Sequence, residues 1–365
     1  MSLLSLDISK CVHTTNKFAT CDACVTSCPV QTIKLVEHQL SFTPSECVGC
    51  NGCAAACPTA AYSLDDFKPL NFIFGFLESD ENVLSCKKEL PCIAALSVEE
   101  LLSISLFVEK DIYYDIGACV DCVIAQTNLA IIEKRAEEVN FLLEAMEQEK
   151  KVMLIKLNEE SEEQSTKLSR RKLLSKDGLK HMVEIKSKFD NELEASDENI
   201  KHHKVSVDDI QKIREKKAPD RRSLLSMAMK RAKVPEVFHT LDINDISFTS
   251  QKELDSTTCT SCQMCYRICP TGALSSDTRG TFINFNAMAC VQCHSCHDVC
   301  EPGSLTLRKT FNLEELFHPS NEILVKFDIR KCDECNTPFA YRGGEVICAR
   351  CRVEEEEAKA LWGIK

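Results

Sequence analysis

The sequence predicts an α+β multidomain chain. It comprises two copies of a small eight-cysteine module, a small central α/β domain of βαβα order, a charged helical linker and a C-terminal hairpin framed by cysteine pairs. Three observations predict this. All 24 cysteines fall in four blocks: eight in 11–57, four in 86–122, eight in 259–300 and four in 332–351. The two blocks of eight repeat one another's spacing, the mark of a duplicated unit. Between the second and third blocks lies a stretch of different composition, in which Lys167–Lys233 carries 19 Lys and Arg against 11 Asp and Glu. The expected boundaries are 1–68, 69–149, 150–240, 241–312 and 313–365.

The chain has 365 residues, 44% of them hydrophobic but only 6% aromatic, which suits several small cores better than one large one. A secreted disulfide protein would also be rich in cysteine. Met1–Lys10, however, shows no basic region followed by an apolar run. No apolar run approaches the ~18–20 residues of a membrane span. The expectation is a cytoplasmic, reducing setting in which thiols bind metals. Every block size is a multiple of four, the number of thiolates that one tetrahedral site or one cubane cluster takes. The net charge of −12 argues against nucleic acid as the main partner. The linker's apolar residues are sparse apart from Leu173-Leu174, Leu224-Leu225 and Met227 with Met229. Its hexads Ser169–Leu174 and Asp220–Leu225 echo each other, and the stretch reads as a solvated linker with helical pieces.

The C-terminal module carries the more regular pattern. Cys259, Cys262, Cys265 and Cys269 follow C-x2-C-x2-C-x3-C with Pro270 next, and Cys290, Cys293, Cys296 and Cys300 repeat that spacing, with Pro302 one place late. Three thiolates two residues apart let a tight loop wrap one corner of a 4Fe–4S cubane. The fourth cysteine is expected to start a helix, point away and ligate the other cluster. One cluster then takes Cys259, Cys262, Cys265 and Cys300, the other Cys290, Cys293, Cys296 and Cys269. His294 and His297 stand between ligands, either tuning the potential of that cluster or lying as ordinary surface residues.

In the N-terminal module Cys47, Cys50, Cys53 and Cys57 with Pro58 form a regular half. The other half holds Cys21, Cys24, Cys28 and Pro29 in register, but Phe18 stands where the first ligand belongs. An insertion would restore the pattern through Cys11, giving one cluster on Cys11, Cys21, Cys24 and Cys57 and another on Cys47, Cys50, Cys53 and Cys28. The alternative leaves Cys11 free and the first cluster a 3Fe–4S form. On these motifs both modules resemble the bacterial dicluster ferredoxin family. The resemblance implies ferredoxin-like dicluster modules of two short hairpins and two short helices around two clusters, and one-electron transfer at low potential.

In the central domain Asn71–Leu77 reads as a strand and Ser97-Val-Glu-Glu100 as a capping box opening a helix to about Val108. Asp111–Gly117 reads as a second strand. A long helix follows Cys122 to Gln148, with Leu129, Ile132, Val139 and Leu143 near helical spacing. Cys86, Cys92, Cys119 and Cys122 fall beyond strand ends, where α/β folds place ligands. The stretch Leu90–Leu102, Gly117-Ala-Cys-Val-Asp-Cys122, Arg135 and Asn140–Leu143 resembles the delta subunit of methyl-viologen-reducing hydrogenase. That resemblance implies a 2Fe–2S cluster on these cysteines and a relay between a hydrogenase and a disulfide reductase. It departs at the first cysteine pair, where only Cys86 stands, so zinc or a redox-active dithiol remain open alternatives.

At the C-terminus Cys332-Asp-Glu-Cys335 and Cys348-Ala-Arg-Cys351 frame a zinc-ribbon-like hairpin with Gly343-Gly344 in it, an S4 site for zinc, with iron as the rival. Val353–Lys365 reads as a short acidic helix. The chain shows no G-x-G-x-x-G fingerprint and no phosphate loop. The reading is therefore a non-enzymatic electron carrier, with up to four 4Fe–4S clusters, one 2Fe–2S centre and one zinc. It would serve a redox enzyme such as a hydrogenase, formate dehydrogenase or heterodisulfide-type reductase. The alternatives are a cluster assembly or maturation factor and, more remotely, a redox-responsive regulator.

Overall fold

A computed structural model describes residues 4–79, 81–157 and 207–363. The chain divides into two compact units, one of residues 1–17, 21–215 and 219–238, the other of 18–20, 216–218 and 239–365. The hexad Ser169–Leu174 and most of the expected linker lie outside the described residues.

The first unit opens with β1 (Leu4–Leu6), α1 (Val12–Thr15), α2 (Ala23–Thr26), β2 (Ile33–Val36), β3 (Gln39–Phe42), α3 (Gly52–Ala56) and β4 (Tyr62–Leu64). β2 and β3 form a hairpin turning at Glu37 and His38, both at left-handed φ. β1 pairs antiparallel with β4, first strand to last. Only one of the two expected hairpins is therefore a hairpin. The other pairing closes the ends of the module and buries Leu4, Tyr62 and Leu64.

The central elements are α4 (Pro69–Glu78), β5 (Val83–Ser85), α5 (Val98–Phe107), β6 (Ile112–Asp115), α6 (Ala125–Ala145) and β7 (Val152–Ile155). β5, β6 and β7 form a parallel sheet in that order. The apolar run Asn71–Leu77 is helix rather than strand. Pro69 occupies the first turn, where its missing N–H costs nothing, and Ile73 and Phe76, three apart, turn inward while Phe74 faces solvent. The first strand instead lies at Val83–Ser85, and a third, Val152–Ile155, begins where the linker was expected. The capping box is formed: Ser97 N donates to Glu100 Oε2 at 2.7 Å and Glu100 N to Ser97 Oγ at 3.3 Å. Asn140 holds β7 in place, donating to Val152 O at 2.9 Å and accepting from Val152 N at 2.7 Å.

Two helices follow, α7 (Val207–Glu215) and α8 (Asp220–Arg231). α8 differs from the solvated linker expected there. Leu224, Leu225, Ala228 and Met229 form a buried stripe against α5, and every residue of α5 from Val98 to Leu106 is buried. Arg221 and Arg222 are buried as well. Arg221 Nε meets Glu99 Oε2 at 2.8 Å, and Arg222 Nε lies 2.8 Å from Glu99 Oε1 as an ion pair. The local charge excess concealed an apolar stripe of helical period.

The second unit contains β8 (Thr240–Asp242), β9 (Lys252–Leu254), α9 (Met264–Ile268), β10 (Leu274–Ser275), β11 (Phe282–Phe285), α10 (Ser295–Asp298), β12 (Leu305–Leu307), β13 (Thr310–Asn312), α11 (Glu314–Phe317) and β14 (Glu322–Lys326). The β9–β12 pair repeats β1–β4, and β10–β11 repeats β2–β3, with β14 added as a third strand. β8 pairs with β13. β15 (Asp328–Lys331) and β16 (Pro338–Tyr341) then form an antiparallel pair, followed by α12 (Ala349–Trp362).

Candidate metal centres

The cysteine loops share one backbone design. Residues on either side of the second cysteine take left-handed φ in three of them: Gly49 and Asn51, Ser261 and Gln263, Gln292 and His294. Alternating left- and right-handed residues turn successive N–H groups toward one point, a concavity suited to an anionic sulfide. Beyond the fourth cysteine a second turn recurs four times, at Gln31, Ala60, Gly272 and Gly303, all at left-handed φ. The loop of Cys21 and Cys24 departs from the first pattern, since Asp22 has φ −126°. That is the loop whose sequence is irregular. The fourth cysteine ends a short helix rather than starting one: Cys57 caps α3 and Cys269 caps α9.

The thiols gather across halves of each module. Cys11 lies near enough to Cys57 and Cys21, and Cys24 to Cys57, Cys21 and Cys11, for each to resist ionising beside the others. Cys53 is set among Cys50, Cys47, Cys28 and Cys24. In the second module Cys259, Cys262, Cys265 and Cys300 together line a small pocket with Leu254, Ile283 and Leu305. Cys293 neighbours Cys290, Cys296 and Cys269. Burial pushes Cys11 up to about 11 and Cys24, Cys265 and Cys296 up to about 12. As bare thiols these groups keep their protons at neutral pH, so metal loading must release them. Polar groups are set against the sulfurs: Ala61 N donates to Cys57 Sγ at 3.3 Å, and Ser250 Oγ and Cys290 Sγ share a hydrogen bond of 3.3 Å.

His297 is half-buried rather than a free surface residue. Its Nδ1 donates to Leu305 O at 3.0 Å, so Nε2 accepts from Lys252 Nζ at 2.8 Å. Burial first, then the Lys252 charge, push the imidazole down to about 4, and it is neutral. Lys252 is 1% exposed and its charge reaches Cys296. A buried lysine on a three-residue strand was not foreseen. Its signal was its place on the face of β9 that also carries Leu254.

The central cysteines lie beyond the carboxyl ends of parallel strands. Cys86 follows β5, and Cys119 and Cys122 follow β6 in and after the short turn Gly117–Val120. Cys92 precedes the turn Ile93–Ala95. Cys119 feels Cys86, Cys92 and Cys122, and burial pushes it up to about 11. Asp115 braces this end of the sheet. It accepts from Ser85 Oγ at 2.9 Å, Gly117 N at 2.9 Å and Leu157 N at 3.1 Å. Burial alone would raise its pKa, but these bonds hold it below the usual carboxylate range. A Cβ on Gly117 would meet Leu157 O at 2.9 Å, so that position accepts only glycine. Arg135 Nη1 donates to Ala94 O and Leu96 O at 2.8 and 2.7 Å, which fixes the turn beside Cys92.

Cys332, Cys335, Cys348 and Cys351 have sulfurs all within 4.8 Å of one another, the tightest such set among the described residues. Their arrangement differs from the expected ribbon hairpin. The first pair sits between β15 and β16, whereas Cys348 caps α12 and Cys351 lies in its first turn. Backbone N–H groups of Cys335 and Cys348 pull the Cys332 thiol down to about 6. With Zn–S near 2.3 Å, tetrahedral geometry places ligand sulfurs about 3.8 Å apart. The Cys335–Cys348 separation of 3.7 Å fits a single ion.

Comparison with known proteins bears on the two eight-cysteine modules. Residues 17–61 and 251–301 each match a family described as 4Fe-4S dicluster domain. The chain thus carries two 4Fe–4S dicluster domains of ferredoxin type, which imply four 4Fe–4S clusters. It is also 40% identical over 47 residues to "Ferredoxin 7Fe" of Hydrogenibacillus schlegelii, a match spanning 13% of this chain and 60% of that ferredoxin. No solved structure matches the chain. No described helix is long and apolar enough to cross a membrane.

Proposed function

We propose that the chain is a multi-centre electron relay, an accessory carrier passing low-potential electrons to or from a redox enzyme. The observation that carries this is the left-handed turn repeated after all four cysteine loops, three of which share one backbone design, with thiols from opposite halves of each module brought together. The four clusters would be held by Cys11, Cys21, Cys24 and Cys57; by Cys28, Cys47, Cys50 and Cys53; by Cys259, Cys262, Cys265 and Cys300; and by Cys269, Cys290, Cys293 and Cys296. A bound 4Fe–4S cluster supplies a one-electron couple. The chain's part is to present thiolates, aim N–H and hydroxyl donors at them, and exclude water with residues such as Leu254, Ile283 and Leu305.

Cys86, Cys92, Cys119 and Cys122 would hold a 2Fe–2S centre. Cys86, Cys92 and Cys122 all lie within electrostatic reach of Cys119, which brings four thiols together at this end of the sheet. This centre opens to solvent at Cys122, flanked by Val120 and Val123, 69% and 95% exposed. Cys332, Cys335, Cys348 and Cys351 would hold zinc as a structural pin for α12. The relay reading is tested by mixing the loaded protein with an apo-ferredoxin acceptor under anaerobic conditions. A relay keeps its iron and cycles reversibly between oxidised and reduced spectra. Transfer of clusters to the acceptor within minutes would mark an assembly factor instead.

A further inference from the structure

In the first unit, the central four-cysteine site adjoins one half of the dicluster module. Cys92 and Cys50 lie within each other's electrostatic reach. The turn Ile93–Ala95 lies beside α3, and Ala94 O lies 3.9 Å from where a Cβ on Gly52 would be. Arg221 fastens the two parts, donating from Nη2 to Cys57 O at 2.6 Å and Pro58 O at 3.0 Å while its Nε holds Glu99 of α5. Between the two sites stands Asn128, 2% exposed, on the core face of α6. Its Nδ2 donates to Cys92 Sγ at 3.4 Å, and the same side chain lies close enough to the Cys50 thiol to favour its thiolate. A carboxamide nitrogen has two N–H groups, enough for one sulfur each. A metal-bound thiolate only accepts, so the nitrogen must face the sulfurs. Its Oδ1 is buried without a hydrogen-bond partner, a cost that goes with aiming the nitrogen at sulfur.

We infer that Asn128 is the junction between the 4Fe–4S centre on Cys28, Cys47, Cys50 and Cys53 and the centre on Cys86, Cys92, Cys119 and Cys122. These two are then consecutive stations of one path. With both centres bound, one electron would pass between them, one centre losing it and the other gaining it, with no bond made and no proton moved. This rests on the reading of the central site as redox-active. Asn128 acts as a positioning residue that stabilises the more negative, reduced state of both centres by donating to a sulfur of each.

The test is a redox titration of the loaded full chain, monitored by electron paramagnetic resonance, on wild type, Asn128→Leu and Asn128→Gln. Metal content is measured first. In Asn128→Leu both midpoint potentials fall, each by about a tenfold change in the reduction equilibrium, ~59 mV for a one-electron couple. The couples of the second dicluster module stay where they were, and Asn128→Gln, which keeps the donors, falls less. With both centres reduced, the wild type shows mutual spin broadening that persists in Asn128→Leu. Two unmoved potentials, or one moved and one unmoved, in a variant with full iron content would overturn the junction. Zinc in place of iron at the central site overturns it from the other side, through the relay reading, and metal content alone reveals that.

Discussion

At Lys252 a single charge is placed where it biases an electron's energy. Its ammonium group is buried, bonded to a neutral His297, and within reach of Cys296. A cation there favours the more negative state of the centre on Cys269, Cys290, Cys293 and Cys296. Lys252→Met should lower that potential by on the order of 1–2 kcal/mol of reduction free energy, the scale of a unit charge near a partly buried site. Lys252→Arg should keep most of it. Redox titration decides, and an unchanged potential in the Met variant would remove Lys252 from the electrostatics of the site. Residues differ sharply in how legible they are in sequence. The cysteines announce themselves by spacing, because a cluster needs thiolates at fixed intervals along a loop. Asn128 and Lys252 act through a neighbour brought near by folding, and no local spacing encodes that. Their one signal is a polar residue in line with core positions: Asn128 one turn before Ile132, Lys252 two before Leu254.

At the level of elements, the charged α8 is the instructive case. Net charge suggested a solvated stretch, yet Arg221 and Arg222 converge on Glu99 and the aliphatic stripe of α8 covers α5. Long guanidinium stems bury readily when their heads find partners. Arg221→Ala leaves Glu99 with half its compensation and frees carbonyls of Cys57 and Pro58. It should destabilise the first unit by about 3 kcal/mol, the scale of a broken buried pair. Replacing Arg221, Arg222 and Glu99 together with Met, which leaves no buried charge of the group unpaired, should recover part of that. Thermal unfolding of the loaded protein measures both, and a neutral Arg221→Ala would mean α8 is not fastened there. The apolar run Asn71–Leu77 misleads for a different reason: a short run of continuous hydrophobics has no period to separate strand from helix. Pro69 and the following turn decided it. The capping box and the strand at 112–115 were legible because each carries a local chemical signature.

Across the whole molecule, duplication is the organising fact: two dicluster modules of the same strand pairing and loop design, each joined in its own unit to a further four-cysteine site. The two dicluster modules were readable from the cysteine register alone. The union of the first module with the central sheet was not, because it depends on Arg221 and Asn128, far apart in sequence. The central claim is that the chain holds four cubane clusters and a further iron centre as a reversible carrier. Its most direct measurement is the iron and spin count of the anaerobically reconstituted full chain through a reductive titration. The account predicts about 18 irons, four for each cubane and two for the central centre, with every centre reduced and reoxidised without loss. Eight irons or fewer after full reconstitution would contradict it.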